Sequence, residues 1–127
     1  MPIDATQPYD PDNIFARVLR NEIPADIVYE DGWAVAFRDI NPQAPVHLLV
    51  IPREHLASLD DARAEHAALL GRLLLAGAEV ARREGLGDDL DARGFRTVVN
   101  TGAGAGQSVF HLHIHILGGR PFGWGPG

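Results

Sequence analysis

Three of the six histidines in this chain lie at alternate positions in the segment SVFHLHIHIL, residues 108–117. Neighbouring side chains point to opposite faces of a β-strand. A strand here would therefore place His111, His113 and His115 on one face and apolar side chains on the other. We expect the apolar face to pack on the core, and the imidazole face to meet water, a ligand or a cleft.

Three interpretations of this imidazole face are open. A merely solvated face is the weakest, because exposed strand positions usually carry threonine, arginine or glutamate. A single zinc ion is disfavoured, because His111 and His115 would be about 13 Å apart on an extended strand. Zinc would need ligands from elsewhere, and the chain has no cysteine. Nucleophilic catalysis is favoured, because a neutral imidazole can attack a phosphoryl-type group and neighbouring imidazoles oppose its protonation.

A glycine-rich loop, NTGAGAGQS at residues 100–108, leads directly into the histidine segment. Glycines let a backbone approach a ligand closely and turn its N–H groups towards an anion. Alone, such a loop would be interpreted as a flexible hairpin, but next to the histidines it predicts a phosphate cradle. Ser108 is placed to donate a proton or hydrogen bond to a leaving group, and Asn100 to contact a phosphate or sugar oxygen.

The remaining segments predict the elements that position this site. Asn13 can cap a short helix that Pro24 stops, and residues 61–84 have the spacing of a long amphipathic helix. Leu74 and Leu75 widen its apolar stripe, which suggests a second buried contact such as a subunit interface. Five segments have strand character: 27–31, 33–39, 46–52, 95–101 and 109–117.

Five strands with short links and two helices predict an α+β domain on a mostly antiparallel sheet. Residues 1–12 are rich in proline and aspartate, so we expect a flexible arm there. Residues 13–127 are expected to form a single domain.

Composition limits the classes of function. The chain has 127 residues and a formal charge of −6, it has no cysteine, and all 11 basic residues are arginine. The lack of cysteine and lysine excludes disulfides, a cysteine nucleophile and Schiff-base chemistry. The negative charge does not favour nucleic acid, and no apolar run has the length of a membrane span or signal core. We therefore expect a cytoplasmic protein without nucleic-acid or membrane partners.

The segment HLHIHIL, residues 111–117, matches the signature of the histidine triad (HIT) family, in which three histidines alternate with apolar residues. Other segments resemble the HINT branch of that family, the purine nucleoside phosphoramidases. These segments are IFARVLRNEIPADIVYED, FRDINPQAPVHLLVIPREH, VVNTGAGAGQSVFHLHIHILGGR and the closing WGPG. The resemblance covers roughly residues 13–127.

This resemblance implies a HIT-like fold, an α+β homodimer in which two five-stranded antiparallel sheets join into one ten-stranded sheet. It implies hydrolysis of the P–N bond of purine nucleoside 5′-phosphoramidates, such as AMP joined to an amine, or of aminoacyl adenylates. The reaction would pass through a nucleotidyl-histidine. The implied partners are an AMP or GMP derivative and a second copy of the chain, with no cofactor and no metal.

Several roles follow from the resemblance, position by position. His113 resembles the nucleophile that attacks the α-phosphorus, and His111 and His115 flank it to orient the phosphate and the nucleophile. His47 resembles a fourth histidine of the site. Asp39 resembles the carboxylate that holds the ribose hydroxyls.

The resemblance also implies the surroundings of the nucleotide. The base pocket would be apolar and formed by Ile14, Phe15, Val18, Ile23, Phe37 and Ile40. The phosphate and leaving-group side would be formed by Asn100, Gly106, Gln107 and Ser108. Trp124 lies in the carboxy-terminal segment that, in this branch, helps to select the leaving group near the dimer partner.

The chain departs from the family pattern at two places. Many bacterial relatives carry a Cys-x-x-Cys zinc pair near the first helix, where this chain has NIFA, so we expect no structural zinc. Arg38 stands beside the ribose aspartate and is expected to alter ribose or base contacts. His55 and His66 match no catalytic position and are interpreted as solvent-facing.

Three alternatives to a phosphoramidase remain. One is a dinucleoside polyphosphate hydrolase of the Fhit branch, against which the GGR and WGPG segments argue. Another is a nucleotide-binding scaffold with incidental catalysis, because a binding site would use the same residues. The third is a zinc-binding module, which would contain metal when purified.

Overall fold

A computed structural model of the protein describes residues 9–125. Its helices and strands follow in the order α1 (Ile14–Leu19), β1 (Ile27–Glu30), β2 (Ala34–Arg38), β3 (Val46–Pro52), α2 (Ala67–Arg83), β4 (Phe95–Val98) and β5 (Ile114–Gly118). Short 3-10 turns occupy Leu59–Asp61, Ala64–His66 and Ala103–Ala105. The predicted α+β class, with five strands and two helices, is confirmed.

The five strands form one antiparallel sheet in the order β1-β2-β3-β5-β4. β3 lies at its centre, as its almost continuous apolar sequence VHLLVIP requires. Leu49 of β3 is paired with His115 of β5, so their side chains and that of His47 share one face of the sheet.

The two faces of the sheet are covered differently. α2 packs on one face, where Leu48, Val50, Ile114 and Ile116 meet its buried side. The other face carries a smaller cluster, in which Phe15 and Val18 of α1 pack with Val35, Phe37, Leu49 and Ile51. This second face is the one that carries His47 and His115, so α1 and the candidate site share it.

The first helix is short and locally specified. Asn13 caps it, since the side-chain oxygen accepts a hydrogen bond from the Ala16 N–H at 2.9 Å. The helix ends at Leu19, before Pro24. Its buried side presents Phe15 and Val18, whereas Ile14 is half exposed.

The long helix begins later than its sequence pattern predicts. The prediction of a helix from residue 61 is wrong at its start, because α2 begins at Ala67. Local polar contacts interrupt the earlier turns: Ser58 donates to Asp61, and the His66 ring accepts from the Arg63 N–H. None of the helices among residues 9–125 is long and apolar enough to cross a membrane.

The last strand is also shorter than predicted. β5 begins at Ile114 rather than at residue 109, so His111 and His113 precede it. The cause lies in β3, which ends at Pro52, a residue without a backbone N–H. The Leu112 N–H donates instead to the Leu56 carbonyl at 2.7 Å.

Residues 1–8 of the predicted arm, and residues 126 and 127 of the WGPG segment, lie outside the described residues. Tyr9 and Asp10 do contact the domain. The Asp10 carbonyl accepts from Asn13 at the start of α1, and the Tyr9 ring lies against two histidines.

Candidate active site

A cavity of about 510 Å³ opens on the α1 face of the sheet. Its volume lies within the usual range for small-molecule pockets. Its walls come from α1, β2, β3, β5 and the loops between them. The lining residues are Ile14, Phe15, Val18, Ile23, Pro24, Ala25, Phe37, Arg38, Asp39, Ile40, Asn41, Gln43, His47, Leu49, Gly106, Ser108, Val109 and His115.

Three polar side chains form a hydrogen-bonded group in the wall of this cavity. The backbone N–H of Gln43 donates to Nδ1 of His47 at 3.0 Å, so the proton of neutral His47 lies on Nε2. His47 Nε2 lies 2.9 Å from Nδ1 of His115 and 3.4 Å from a carboxylate oxygen of Asp39. His115 Nδ1 is therefore the acceptor, and neutral His115 carries its own proton on Nε2.

His113 has the opposite tautomer. Its Nδ1 lies 2.7 Å from the backbone carbonyl oxygen of His111. A carbonyl only accepts, so Nδ1 carries the proton and Nε2 has a free lone pair. The ring is buried and edge-on to Phe15 and His115, with centroids 4.9 and 5.1 Å away. His113 does not itself line the cavity, but both of those neighbours do.

His111 is fully buried and has both ring nitrogens occupied. Nε2 donates to the Pro52 carbonyl at 2.8 Å, and Nδ1 lies 2.6 Å from the Tyr9 hydroxyl, which therefore donates to it. The prediction that the histidine face meets water, a ligand or a cleft is thus wrong at His111. Its two hydrogen bonds leave it no ring nitrogen for a phosphate.

All four histidines have pKa values below that of a free imidazole, and burial is the largest cause for each. Burial lowers the pKa of His111 and of His115 to about 4, and nearby histidines add to the effect. Burial also lowers the pKa values of His47 and His113, which the Asp39 carboxylate partly opposes. The site therefore holds neutral imidazoles at pH 7.

The buried side chain of Gln107 holds the glycine-rich loop in its conformation. Gln107 donates to the carbonyls of Ala57 and Val109 at 2.8 and 3.0 Å and accepts from the Gly102 N–H at 2.9 Å. Gly102 and Gly106 have φ values of 84° and 92°, which glycine adopts without strain. The side chain of Gln107 thus shapes the loop and lies outside the cavity wall, as does Asn100.

Sequence comparison assigns the chain to a family. Residues 20–122 match the HIT domain. The chain belongs to the HIT family.

Individual relatives agree with this assignment. An uncharacterized HIT-like protein of Synechococcus elongatus is 58% identical over 116 residues, 91% of this chain and 97% of the relative. The purine nucleoside phosphoramidase of Escherichia coli K12 is 46% identical over 112 residues, 88% of this chain and 91% of that enzyme. The structure of a HIT family hydrolase from Legionella pneumophila superposes with a TM-score of 0.85 at 43% identity, covering 91% of this chain and all of that one.

In this HIT protein the cavity brings together most of the residues predicted for the nucleotide. Of the predicted base pocket, all six side chains line it: Ile14, Phe15, Val18, Ile23, Phe37 and Ile40. Asp39, His47, His115, Gly106 and Ser108 line it as well. Their role in binding a nucleotide stays a prediction.

Arg38 and Trp124 were also singled out in the sequence, and their predicted roles stay predictions. The Arg38 guanidinium makes two hydrogen bonds to Glu84, at 2.6 and 3.1 Å, and lies 3.3 Å from Asp26. The guanidinium is therefore part of an ion-pair network with Glu84 and Asp26. Trp124 is 96% exposed.

The interpretation of the two remaining histidines as solvent-facing is confirmed only for His55, which is exposed and stacks on Tyr9. It is wrong for His66. That side chain is only 15% exposed and contacts Glu54 at 3.0 Å.

Sequence reasoning missed Gln43, which sets the tautomer of His47, and Tyr9, which occupies the second ring nitrogen of His111. The contact of Gln43 is made by its backbone N–H, so the residue type at this position gives no sign of it. Tyr9 carried a weak signal, as an aromatic residue in an arm otherwise rich in proline and aspartate.

Asp39, His47 and His115 have ligand atoms within 4.8 Å of one another, close enough to surround a metal ion. A metal-bound imidazole nitrogen must be unprotonated. Here the Gln43 N–H occupies Nδ1 of His47 and places the proton on Nε2, the atom that faces the other two side chains. A metal ion on these three side chains would therefore require His47 to lose the hydrogen bond from the Gln43 N–H.

Proposed function

We propose that this HIT protein hydrolyses the P–N bond of purine nucleoside 5′-phosphoramidates through a nucleotidyl-histidine. The observation that carries the proposal is the free lone pair on His113 Nε2, which exists because Nδ1 donates to the His111 carbonyl. A buried, neutral imidazole held in one tautomer is a prepared nucleophile. The E. coli relative named a purine nucleoside phosphoramidase supports this choice of reaction.

The first step forms a bond from His113 Nε2 to the α-phosphorus and breaks the P–N bond to the leaving amine. The amine needs a proton, which comes from solvent through the Ser108 hydroxyl in the cavity wall, while the Nε2–H of neutral His115 donates a hydrogen bond to the phosphate. In the second step water attacks phosphorus, returns a proton to solvent by the same route and displaces His113. The products are a nucleoside monophosphate and the free amine, and the enzyme returns to its starting protonation.

The cavity supplies binding groups for each part of such a substrate. Its apolar wall, which includes Phe15 and Phe37, suits a purine ring. Asp39 has one carboxylate oxygen bonded to the Asn41 N–H at 2.8 Å, and we assign the carboxylate to the ribose hydroxyls. Gly106, at the end of the glycine-rich loop, lies in the wall with Ser108, where the phosphate would sit.

Turnover of an adenosine 5′-phosphoramidate, followed by release of AMP, tests the proposal. We expect His113→Ala to lose activity by about a thousandfold or more, as for other removed nucleophiles. His66→Gln is the matched control, since it also removes a histidine but lies outside the cavity, and it should retain activity. Equal turnover by wild type and His113→Ala would remove His113 from the mechanism.

The same preparation distinguishes the alternatives. Higher kcat/KM on a diadenosine polyphosphate than on the phosphoramidate would favour a polyphosphate hydrolase. Tight AMP binding with negligible turnover of both compounds would favour a binding scaffold. The phosphoramidase proposal requires that the phosphoramidate be the better substrate and that a nucleotidyl adduct form on His113.

We also propose a homodimer. β4 is an edge strand, so one side of its backbone is not paired within the described sheet. Antiparallel pairing of β4 with the same strand of a second copy, about a twofold axis, would join two sheets into one of ten strands. Sedimentation velocity measures this directly, and a monomer at micromolar concentration would contradict it. Leu74 and Leu75, 55% and 65% exposed, remain candidates for a further contact.

A further inference from the structure

We propose that Tyr9 is a positioning residue for His113, because it holds His111 in the orientation that presents its backbone carbonyl to the nucleophile. This inference rests on the proposed function and extends it beyond the residues of the cavity. Tyr9 does not line the cavity, so it acts through His111 and the segment that holds His111.

The first link is the hydrogen bond from the Tyr9 hydroxyl to Nδ1 of His111, at 2.6 Å. The other nitrogen of the His111 ring donates to the Pro52 carbonyl at 2.8 Å. Together the two bonds fix both the tautomer and the rotation of a ring that is completely buried. Without the hydroxyl, Nδ1 would be a buried acceptor with no partner, and the ring would have reason to move.

The second link is the stacking of the Tyr9 ring on His55, with centroids 4.4 Å apart and planes 14° from parallel. His55 lies in the segment that follows β3. The ends of this segment hold the histidine motif: the Pro52 carbonyl accepts from the His111 ring, and the Leu56 carbonyl accepts from the Leu112 N–H. Tyr9 therefore contacts both His111 and the segment that holds it.

The third link passes from His111 to the nucleophile. The His111 carbonyl accepts the Nδ1 proton of His113 at 2.7 Å, which leaves Nε2 of His113 free. His111 precedes β5, so the β-ladder does not fix its backbone. The contacts of its side chain, including that from Tyr9, restrain it together with the hydrogen bond from the Leu112 N–H, which belongs to the same peptide group as the His111 carbonyl, to the Leu56 carbonyl. A small displacement of the carbonyl would misorient the lone pair that must attack phosphorus.

Tyr9→Phe tests the idea, because it keeps the aromatic ring and removes only the hydroxyl. The chain has one other tyrosine, Tyr29 on β1, whose hydroxyl donates to Asp31. Tyr29→Phe is therefore a matched control for the loss of a tyrosine hydroxyl. With an adenosine 5′-phosphoramidate we expect Tyr9→Phe to lower kcat about tenfold, since misplaced reacting groups lower the rate of chemistry. KM should stay within about twofold, since the cavity wall is untouched.

Nitrogen NMR of the histidine rings provides a readout independent of turnover. In Tyr9→Phe the ring signals of both His111 and His113 should shift, whereas Tyr29→Phe should leave both unchanged. Wild-type kcat in Tyr9→Phe, or unshifted His113 signals, would overturn the inference. So would a loss of activity that equals the loss of folded protein by circular dichroism, because Tyr9 would then serve stability alone.

The two proposals fail in different ways. If wild type does not turn over the phosphoramidate, the proposed function fails, and the His113 signals of Tyr9→Phe still decide whether Tyr9 positions that ring. If wild type is active and Tyr9→Phe is equally active, the positioning role fails and the function stands.

Discussion

Backbone groups determine the proton positions of the histidines that would carry the chemistry. The Gln43 N–H places the proton of His47 on Nε2, and that proton in turn makes Nδ1 of His115 an acceptor. The His111 carbonyl places the proton of His113 on Nδ1. Two adjacent imidazoles therefore have opposite tautomers, one suited to attack and one suited to donate a hydrogen bond to the phosphate. Three histidines that look equivalent in the sequence have three different environments.

The pH dependence of catalysis should report the nucleophile. Attack requires neutral His113, and burial lowers the pKa of that imidazole below its ordinary value of 6.5, so protonation begins only at lower pH. We expect kcat/KM to stay level from about pH 8 to about pH 6.5 and to fall in more acidic solution. A pH–rate profile on the phosphoramidate measures this, and an acid limb centred above pH 7 would contradict it.

The sign of one contribution to that pKa can be checked separately. The Asp39 carboxylate raises the pKa of His113, partly opposing burial. In Asp39→Asn the acid limb should therefore move to still lower pH, even if ribose binding is weakened. A shift towards higher pH would show that the limb reports another group.

At the scale of elements, the glycine-rich loop depends on Gln107 for its shape. Two glycines of the loop have positive φ values. The Gln107 side chain accepts a hydrogen bond from the Gly102 N–H and donates to the carbonyls of Ala57 and Val109, so one side chain pairs with all three backbone groups. Gln107 is only 4% exposed, so water does not replace these bonds readily. A buried amide thus connects the glycine-rich loop to the segment after β3.

Gln107→Ala should therefore loosen the loop and destabilise the fold by about 1–3 kcal/mol, the usual effect of leaving buried polar groups unpaired. Gln107→Glu should be at least as harmful, because a carboxylate cannot donate to the carbonyls of Ala57 and Val109. Urea unfolding measures the stability, and KM for the phosphoramidate measures the loop. Wild-type stability in Gln107→Glu would show that the two donated bonds contribute nothing.

The presence of each helix and strand was largely predictable from the sequence, whereas the residues at which they begin were not. Apolar alternation and turn residues predict all five strands and both helices, because those signals are local. The start of β5 depends on Pro52, far away in β3, and the start of α2 depends on side-chain contacts of Ser58 and His66. The contact between Tyr9 and His111 joins residues 102 positions apart, and no local pattern contains it.

At the scale of the whole molecule, the sheet separates two tasks. α2 and the face it covers form the larger apolar core, whereas the opposite face combines a small core with the cavity and the buried histidines. Residues 9–125 leave no buried side-chain nitrogen or oxygen without a partner. The imidazoles are thus tolerated because each is neutral and hydrogen-bonded, a condition that acid removes.

Stability should therefore fall as the pH is lowered from 7 to 5. Burial lowers the pKa of His111 and of His115 from 6.5 to about 4 in the folded protein. Between these values the unfolded chain binds more protons, so the free energy of unfolding rises with pH and falls with acid. For His111 alone the shift corresponds to about 2 kcal/mol lost between pH 7 and pH 5.

Two other pH effects can be separated from this one in urea unfolding experiments. The net charge of −6 at pH 7 becomes smaller in acid, which relieves repulsion and would stabilise the fold over the same range. Asp31 and Glu79 have lowered pKa values, so the stability they contribute is lost mainly below about pH 4. A decline between pH 7 and pH 5 therefore reports the buried imidazoles. At high salt, where charge repulsion is screened, a constant or rising free energy of unfolding would show that they are not held neutral by the fold.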